Sequence, residues 1–299
     1  MALLTRRVLL IVNPAARRAS RLGAAATRAF QRAGVACDLV LSEHPGHGGD
    51  VALERAARYD AVFALGGDGT IMEVAGALAG TGLPIGILAA GTGNLLARAL
   101  GIPRRVEKAI PVLLRGKRLL VDLGRMHTGR RFAIAAGVGI DATMVRETPP
   151  WLKRRLGVLA YMLMGTRAAL RAVLRRQYFH ARVTVDGTVH ERPAAAVMVA
   201  NFGAVLGRRI ILGPGIETDD GLLDMCVFSP DTLGDALRIM WRLVRADFRS
   251  DPCMLYGRGR ELTIETTPAH VFQADGEMIG VTPFSVSVEP KAACLLVPE

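Results

Sequence analysis

An apolar run, Ala61-Val62-Phe63-Ala64-Leu65, passes directly into Gly66-Gly67-Asp68-Gly69-Thr70, where a helical pattern begins. Paired glycines let the backbone take positive φ and approach a ligand closely, and free N–H groups at a helix start favour phosphate. The direct inference is a phosphate-binding loop. A carboxylate is badly placed against a bare phosphate, so Asp68 fits such a loop only if it faces a metal ion, a ribose or a proton-transfer network. The alternative is a tight strand-to-helix turn with Asp68 as the cap. A second loop of the same kind, Ala89-Ala90-Gly91-Thr92-Gly93-Asn94, follows Ile87-Leu88 and leads into a helix over 95–100. It matches Gly-x-Gly-x-x-Gly only in part, because Leu96 takes the last glycine position, which speaks against a dinucleotide-binding Rossmann site. The first strand ends in Asn13-Pro14-Ala15-Ala16, with Arg17, Arg18 and Arg21 just beyond. In a parallel sheet all three loops emerge at the carboxyl edge and converge on one crevice. The arginines also read as a solvated helix face.

Carboxylates recur in the second half of the chain. Asp219-Asp220-Gly221-Leu222-Leu223-Asp224 is an acidic turn leading into a strand. Its carboxylate and carbonyl oxygens suit Mg²⁺ or Ca²⁺, and a plain Asp-Gly hairpin turn explains the same letters. Near the end, Ala274-Asp275-Gly276-Glu277 sets a carboxylate beside a glycine turn. Glu277 there is a candidate general base for a hydroxyl proton, or else a hairpin-tip residue. His44 and His47 have metal-like spacing, but no cysteine or second acid accompanies them, so they read as a polar loop.

The elements that must position these groups follow two patterns. Over 7–12, 20–32, 35–41, 51–58, 61–65, 70–79 and 85–88, strand-length apolar runs alternate with helical patterns, which predicts a parallel sheet covered by helices. Beyond residue 122 the runs at 182–185, 194–200, 222–227, 262–265, 270–273 and 284–288 are short and separated by glycine turns, which predicts a mostly antiparallel β half. Two basic helical segments, 151–176 and 233–249, interrupt it. The expected fold is therefore an α/β N-terminal domain over 1–122 and a C-terminal mostly antiparallel β domain over 123–299. Ligands are expected in the cleft between the two halves.

Composition bounds the reading. The chain has 299 residues, 51% hydrophobic and 22% charged, which supports a packed core and excludes a disordered chain. The net charge is +11, yet aromatics are only 5%, too few for the stacking platforms of a single-strand nucleic-acid binder. The four cysteines, Cys37, Cys226, Cys253 and Cys294, form no Cys-x-x-Cys pair and read as small thiols in a reducing cytoplasm. The apolar run at 8–12 is too short for a signal-peptide core or a spanning helix, and the charge-free stretch at 156–166 is likewise too short.

Taken together, these residues resemble the bacterial diacylglycerol kinase and sphingosine kinase group of lipid kinases. The resemblance covers nearly the whole chain. It rests on Asn13-Pro14; Gly66-Gly67-Asp68-Gly69-Thr70 with Glu73-Val74; Gly91-Thr92-Gly93-Asn94 with Ala97-Arg98; Pro214 before Asp220-Gly221-x-Leu223-Asp224; and Asp275-Gly276-Glu277. The Gly-Gly-Asp-Gly-Thr loop alone is shared with NAD kinases, whereas the ordered set is far more specific. The resemblance implies a nucleotide-binding α/β domain, a C-terminal β-sandwich to which the last segment adds or from which it returns to the first domain, and an active site in the cleft. It also implies ATP and Mg²⁺. By match to family positions, Asn13, Pro14, Ala15, Ala16, Arg17, Ser42, the loop Gly66, Gly67, Asp68, Gly69, Thr70, Ile71 and Met72, and Thr92 and Asn94 would contact the nucleotide. Asp68 would order the metal and water network, and Glu277 would be the proton acceptor. In some bacterial members a structural Mg²⁺ sits on the acidic turn, which here implies Asp220 with carbonyls of Glu217 and Leu222. Three departures stand out: Ala16-Arg17 where Ser-Gly is usual, Met72 where Asn is common, and Gly207-Arg208-Arg209 where a glycine-rich run is common.

The implied activity is transfer of the γ-phosphate of ATP to a lipid hydroxyl, with diacylglycerol as the first acceptor and a sphingoid base, phosphatidylglycerol or soluble NAD as alternatives. A catalytically silent nucleotide- or lipid-binding protein is the reading from another class. Segment 151–176 carries Lys153, Arg154, Arg155, Arg167, Arg171, Arg175 and Arg176 without an acid. Together with Arg238, Trp241, Arg242 and Arg245 it suits docking on an anionic membrane surface, or else a solvated basic helix face. The corresponding location is cytoplasmic and peripheral to the membrane, with no nucleic-acid partner and a dimer left open.

Overall fold

The computed structural model describes residues 5–15, 19–149, 151–152, 164, 167, 171, 178–205, 210–211 and 213–299. Ala16, Arg17 and Arg18, the 207–209 run and all of 151–176 except Trp151, Leu152, Met164, Arg167 and Arg171 lie outside the described residues. The chain divides into two compact units, Met1–Val121 with Lys291–Glu299, and Asp122–Pro290.

The first unit contains β1 (Arg7–Val12), α1 (Ala19–Arg32), β2 (Ala36–Leu41), α2 (His47–Arg55), β3 (Ala61–Gly66), α3 (Asp68–Ala77), β4 (Pro84–Ala89), α4 (Leu95–Ala99) and α5 (Val106–Arg115). Strand order is β2-β1-β3-β4, continued by the final residues of the C-terminal strand, and every pairing is parallel. Continuous apolar runs form the central strands because helices cover both faces: Val8 to Val12 and Ala61 to Leu65 are wholly buried. The start of β1 is pinned by two carboxylates, one just before β3 and one on β2. Asp60 accepts the N–H groups of Arg6 and Arg7, each at 2.8 Å, and Asp38 accepts the Tyr59 hydroxyl at 2.8 Å and Arg7 Nη2 at 2.7 Å. The two amides hold the Asp60 carboxyl below its ordinary pKa, and the Tyr59 hydroxyl followed by Arg7 does the same for Asp38.

The chain enters the second unit within β5 (Lys117–Met126). There follow β6 (Arg131–Phe132), β7 (Ala135–Gly139), α6 (Ile140–Glu147), β8 (Phe179–Val185), β9 (Thr188–Ala194), β10 (Ala196–Ala200), β11 (Ala204–Val205), β12 (Ile210–Ile211) and β13 (Leu223–Phe228). Then come α7 (Leu233–Arg245), β14 (Met254–Gly259), β15 (Glu261–Thr267), β16 (Val271–Ala274), β17 (Glu277–Val281) and β18 (Phe284–Val297), within which the chain returns to the first unit. One antiparallel sheet runs β14-β13-β10-β7-β16-β17. On the other, β9, β8, β15 and the first residues of β18 pair antiparallel in that order. Alternate side chains of the two sheets meet in one core, where Phe272 of the first stacks on Phe284 of the second at 4.1 Å between ring centres. The α/β-plus-antiparallel fold expected from the sequence is the fold observed.

Local boundaries differ in informative ways. The helix expected from residue 51 begins at His47, because Gly46 takes φ 88° and Gly49 packs so close to α3 that a Cβ there would lie 3.0 Å from the Glu73 carbonyl. Residues that read as a loop by composition are thus a helix–helix contact, an instance of packing overriding propensity. His47 opens that helix and its Nδ1 accepts the Glu43 N–H at 2.9 Å. Helix α7 stops at Arg245 rather than 249, since Ala246 takes φ 53°. Cys226, Cys253 and Cys294 are buried free thiols and Cys37 is half-buried, its thiol pushed up to about 11 by burial. Among the described residues no helix is long and apolar enough to cross a membrane.

Candidate active site

In the first unit the described residues of the candidate nucleotide site gather at the carboxyl ends of β1, β3 and β4, with Ser42 at the end of β2. Asn13 closes β1. Its N–H donates to the Leu65 carbonyl at 3.1 Å, its Nδ2 to Thr70 Oγ1 at 2.9 Å, and its Oδ1 accepts the Ala15 N–H at 2.9 Å. One side chain therefore ties the Asn-Pro turn to the first turn of α3. The Ala90 N–H donates to the Gly66 carbonyl at 2.8 Å, which joins the two glycine loops. Their backbones then cross: a Cβ on Gly91 would stand 2.7 Å from Gly67 Cα, a separation that side chains do not tolerate.

Asp68 opens α3, and its Oδ1 accepts the Leu96 N–H at 3.4 Å. Burial pushes its carboxyl above the ordinary range, while the N–H groups of Leu96, Leu95 and Asn94 draw it back. Asn94 takes the left-handed conformation at φ 48°, with its Oδ1 accepting the Gly91 N–H at 2.9 Å and its Nδ2 donating to the Gly91 carbonyl at 2.7 Å. Asn94 is thus the brace of the second loop. Thr92 at the loop tip is exposed, as are Pro14 and Ala15. Ile71 is fully buried and donates its N–H to the Gly67 carbonyl at 3.1 Å, so it supports the loop from behind; Met72 is half-buried. Ser42 is buried at the end of β2 with its N–H on the Val12 carbonyl at 2.9 Å.

In the second unit, Asp275 and Gly276 take φ 47° and 84° at the tip of the β16–β17 hairpin, the geometry an Asp-Gly pair favours. The Asp275 carboxylate accepts the N–H groups of Ala133, Ile134 and Ala135 at 2.8, 2.8 and 3.2 Å. That fixes the hairpin, and Glu277 stands at its exit with its carboxylate paired to Arg130 and half exposed. Sequence reasoning missed Asn201, whose Nδ2 donates to the carbonyls of Asp122 and Ala133 at 2.7 and 2.8 Å, and the wholly buried Asp122, whose Oδ2 accepts the Gly221 N–H at 2.7 Å. Both carried a signal, a polar residue inside or ending an apolar strand. Through them the acidic turn is linked to the segment that Asp275 grips. On that turn Asp220 Oδ1 accepts the Leu222 N–H at 3.0 Å and Oδ2 lies 3.7 Å from Arg258; Glu217 is exposed. Next to it, burial pushes the Asp224 carboxyl up against the opposing pull of Arg258.

Among the described residues of the basic segments, some arginines are held by acids. Arg171 is bonded to Glu147 at 2.7 Å, and Arg242 is buried against Asp251 at 2.5 Å.

A crossing of two glycine loops on a parallel α/β unit, together with an antiparallel sandwich bearing Asp-Gly-Glu, defines a two-part fold with known relatives. The diacylglycerol kinase catalytic domain matches residues 7–126, and the YegS C-terminal NAD kinase beta sandwich-like domain matches 134–297. The chain belongs to the bacterial diacylglycerol kinase-like family. It is 33% identical over 242 residues to an uncharacterized protein of Synechocystis, of whose length it spans only about half, 54%. It is 28% identical over 260 residues to the diacylglycerol kinase of Bacillus subtilis, which covers 85% of this chain and 83% of that one. Two Bacillus anthracis crystal structures share the fold over 99% of the chain. One, covered to 97%, has a TM-score of 0.81 at 23% identity, and the other, of a diacylglycerol kinase covered to 98%, has 0.74 at 20%.

Proposed function

We propose that the protein is an ATP-dependent lipid kinase that transfers the γ-phosphoryl group to a lipid hydroxyl, with diacylglycerol the first acceptor and phosphatidic acid the product. The observation that carries the reading is the crossing of the Gly67 and Gly91 backbones beside Asp68, two glycine loops whose bare backbone lets a phosphate come close. Phosphoryl transfer needs positioning and charge neutralisation more than covalent help from the protein. Asn13, the Gly66 to Thr70 loop and the Thr92 loop hold the nucleotide. Mg²⁺ bound with ATP would supply charge neutralisation, and Asp68, at the start of α3, is the carboxylate that would face it.

Glu277 takes the proton of the acceptor hydroxyl as that oxygen forms its bond to the γ-phosphorus and the bridging oxygen leaves with ADP. Its pairing with Arg130 is half exposed, and ion pairs of that kind are worth at most about 1 kcal/mol, so the carboxylate is available. For a structural Mg²⁺ on the acidic turn, Asp220 with carbonyls of Glu217 and Leu222 offers the hard oxygen donors that ion prefers. Among the described residues no three His, Cys, Asp or Glu side chains gather to hold a metal, so a cation there would depend on those carbonyls.

The test is incubation with Mg-ATP and mixed-lipid vesicles, read by mass spectrometry, beside Glu277→Gln. A phosphorylated lipid is expected, with turnover at least about a hundredfold lower in the variant and ATP binding spared. Absence of any phosphorylated lipid despite ATP binding would move the assignment to a soluble acceptor such as NAD or to a silent binding protein, and undiminished turnover in the variant would remove Glu277 from the role.

A further inference from the structure

Helix α7 buries one face and leaves the opposite one apolar. Ile239, Arg242 and Leu243 are buried, whereas Leu233, Leu237, Met240, Trp241 and Val244 are 37% to 60% exposed. Those five positions fall within about 100° of one another around the helix, so they form a single stripe rather than scattered residues. Three acids around the helix are committed to partners, and the fourth, Asp231, stands exposed just ahead of the Thr232 cap. Asp235 closes the capping box with Thr232, Asp251 lies between Arg238 at 3.1 Å and Arg242 at 2.5 Å, and Asp247 is paired with Arg249 at 2.7 Å. Arg245 flanks the stripe, its guanidinium carbon 4.5 Å from the centre of the Trp241 ring, with no carboxylate partner among the described residues.

We infer that this stripe is a membrane-insertion surface, with α7 lying in the plane of an anionic bilayer. An interfacial helix presents apolar side chains to the acyl boundary, places Trp at the headgroup level and keeps cations beside it for lipid phosphates. Trp241 under Arg245, next to Leu237 and Val244, is that combination. A second copy of the chain is the poorer occupant, because five side chains on a helix about 20 Å long fall well short of the roughly 800 Å² per partner of a standard protein interface. The stripe has instead the few-hundred-Å² scale of a functional surface patch. Docking here is led by insertion, since two of the three helix arginines are turned to Asp251. The inference extends the lipid-kinase reading by saying how the enzyme would reach an acceptor held in a bilayer, but its test needs no turnover.

Trp151→Phe leaves Trp241 as the sole tryptophan of the chain's two. Titrated with phosphatidylcholine–phosphatidylglycerol vesicles, Trp241 emission should move to the blue and be quenched by brominated acyl chains. Leu237→Asp in that background should weaken vesicle binding at least about tenfold with unchanged melting, since the side chain is exposed. Arg245→Ala should weaken binding about fivefold, and only on vesicles containing the anionic lipid. Unmoved and unquenched Trp241 emission, or Leu237→Asp binding like its parent, overturns the assignment. So does a parent that elutes as a dimer and a Leu237→Asp variant that elutes as a monomer, which would give the face to a second copy. A protein that binds vesicles in this way yet phosphorylates no lipid would overturn only the kinase reading.

Discussion

At the scale of single residues, the two loop glycines are not equivalent. A Cβ on Gly91 would meet Gly67 Cα at 2.7 Å, backbone against backbone, with no flexible side chain to give way. A Cβ on Gly67 would find Gly91 Cα at 3.7 Å, an ordinary contact. Gly91→Ala should therefore part the loops and raise the KM for ATP at least about tenfold, while Gly67→Ala changes it less than about threefold; steady-state kinetics on the two variants makes the comparison. The same asymmetry shows what letters alone convey. The glycine-rich loops and Asp68 were legible because the residue types announce a close backbone approach. The bracing role of Asn94 and the reach of Asn13 to Thr70 were not, because the first depends on a left-handed backbone that turns the amide back onto Gly91 and the second on a partner 57 residues away.

At the scale of elements, the Asp275 carboxylate ties the hairpin that carries Glu277 to the segment at 133–135. Asp275 gathers three N–H groups from residues that are themselves buried. Its removal leaves those donors without an acceptor, so Asp275→Ala should cost about 2–3 kcal/mol in urea unfolding and lower kcat at least about tenfold through misplacement of Glu277. Strand β1 offers a contrast, because its anchors are exposed. Asp38 and Asp60 both sit below their ordinary value of 3.8 when folded, so the stability they contribute is complete above that value and is lost as pH falls through the lowered ones. The doubly substituted Asp38→Asn, Asp60→Asn protein should melt about 2–4 °C lower near pH 6, and the deficit should shrink as the pH is taken down past 3.8, as thermal scans on either side of that value would show. Strands and hairpin turns of this kind were visible in the sequence as apolar runs bounded by Asp-Gly and Asn-Pro. Helix α6 was not, since its mixture of β-branched and polar residues has no clean helical period, and α2 was hidden by its glycines.

At the scale of the whole molecule, the switch from alternating strand and helix to short antiparallel runs near Asp122 was legible, because burial on both faces of a parallel sheet and on one face of a sandwich leaves different hydrophobic periods. What the pattern did not convey is the full course of β18. Its first residues pair with β15, and Cys294 and Leu295 pair in parallel with Pro84 and Ile85 of β4. The side chains from Ala292 to Val297 are all buried. A ribosome makes β1 to β4 before the second unit and these residues after it, so throughout synthesis of the second unit β4 waits with an unpaired parallel edge. The sheet of the first unit is completed only once the second unit has been made. A fragment cut after the catalytic-domain match at residue 126 would keep that edge open and be prone to associate through it.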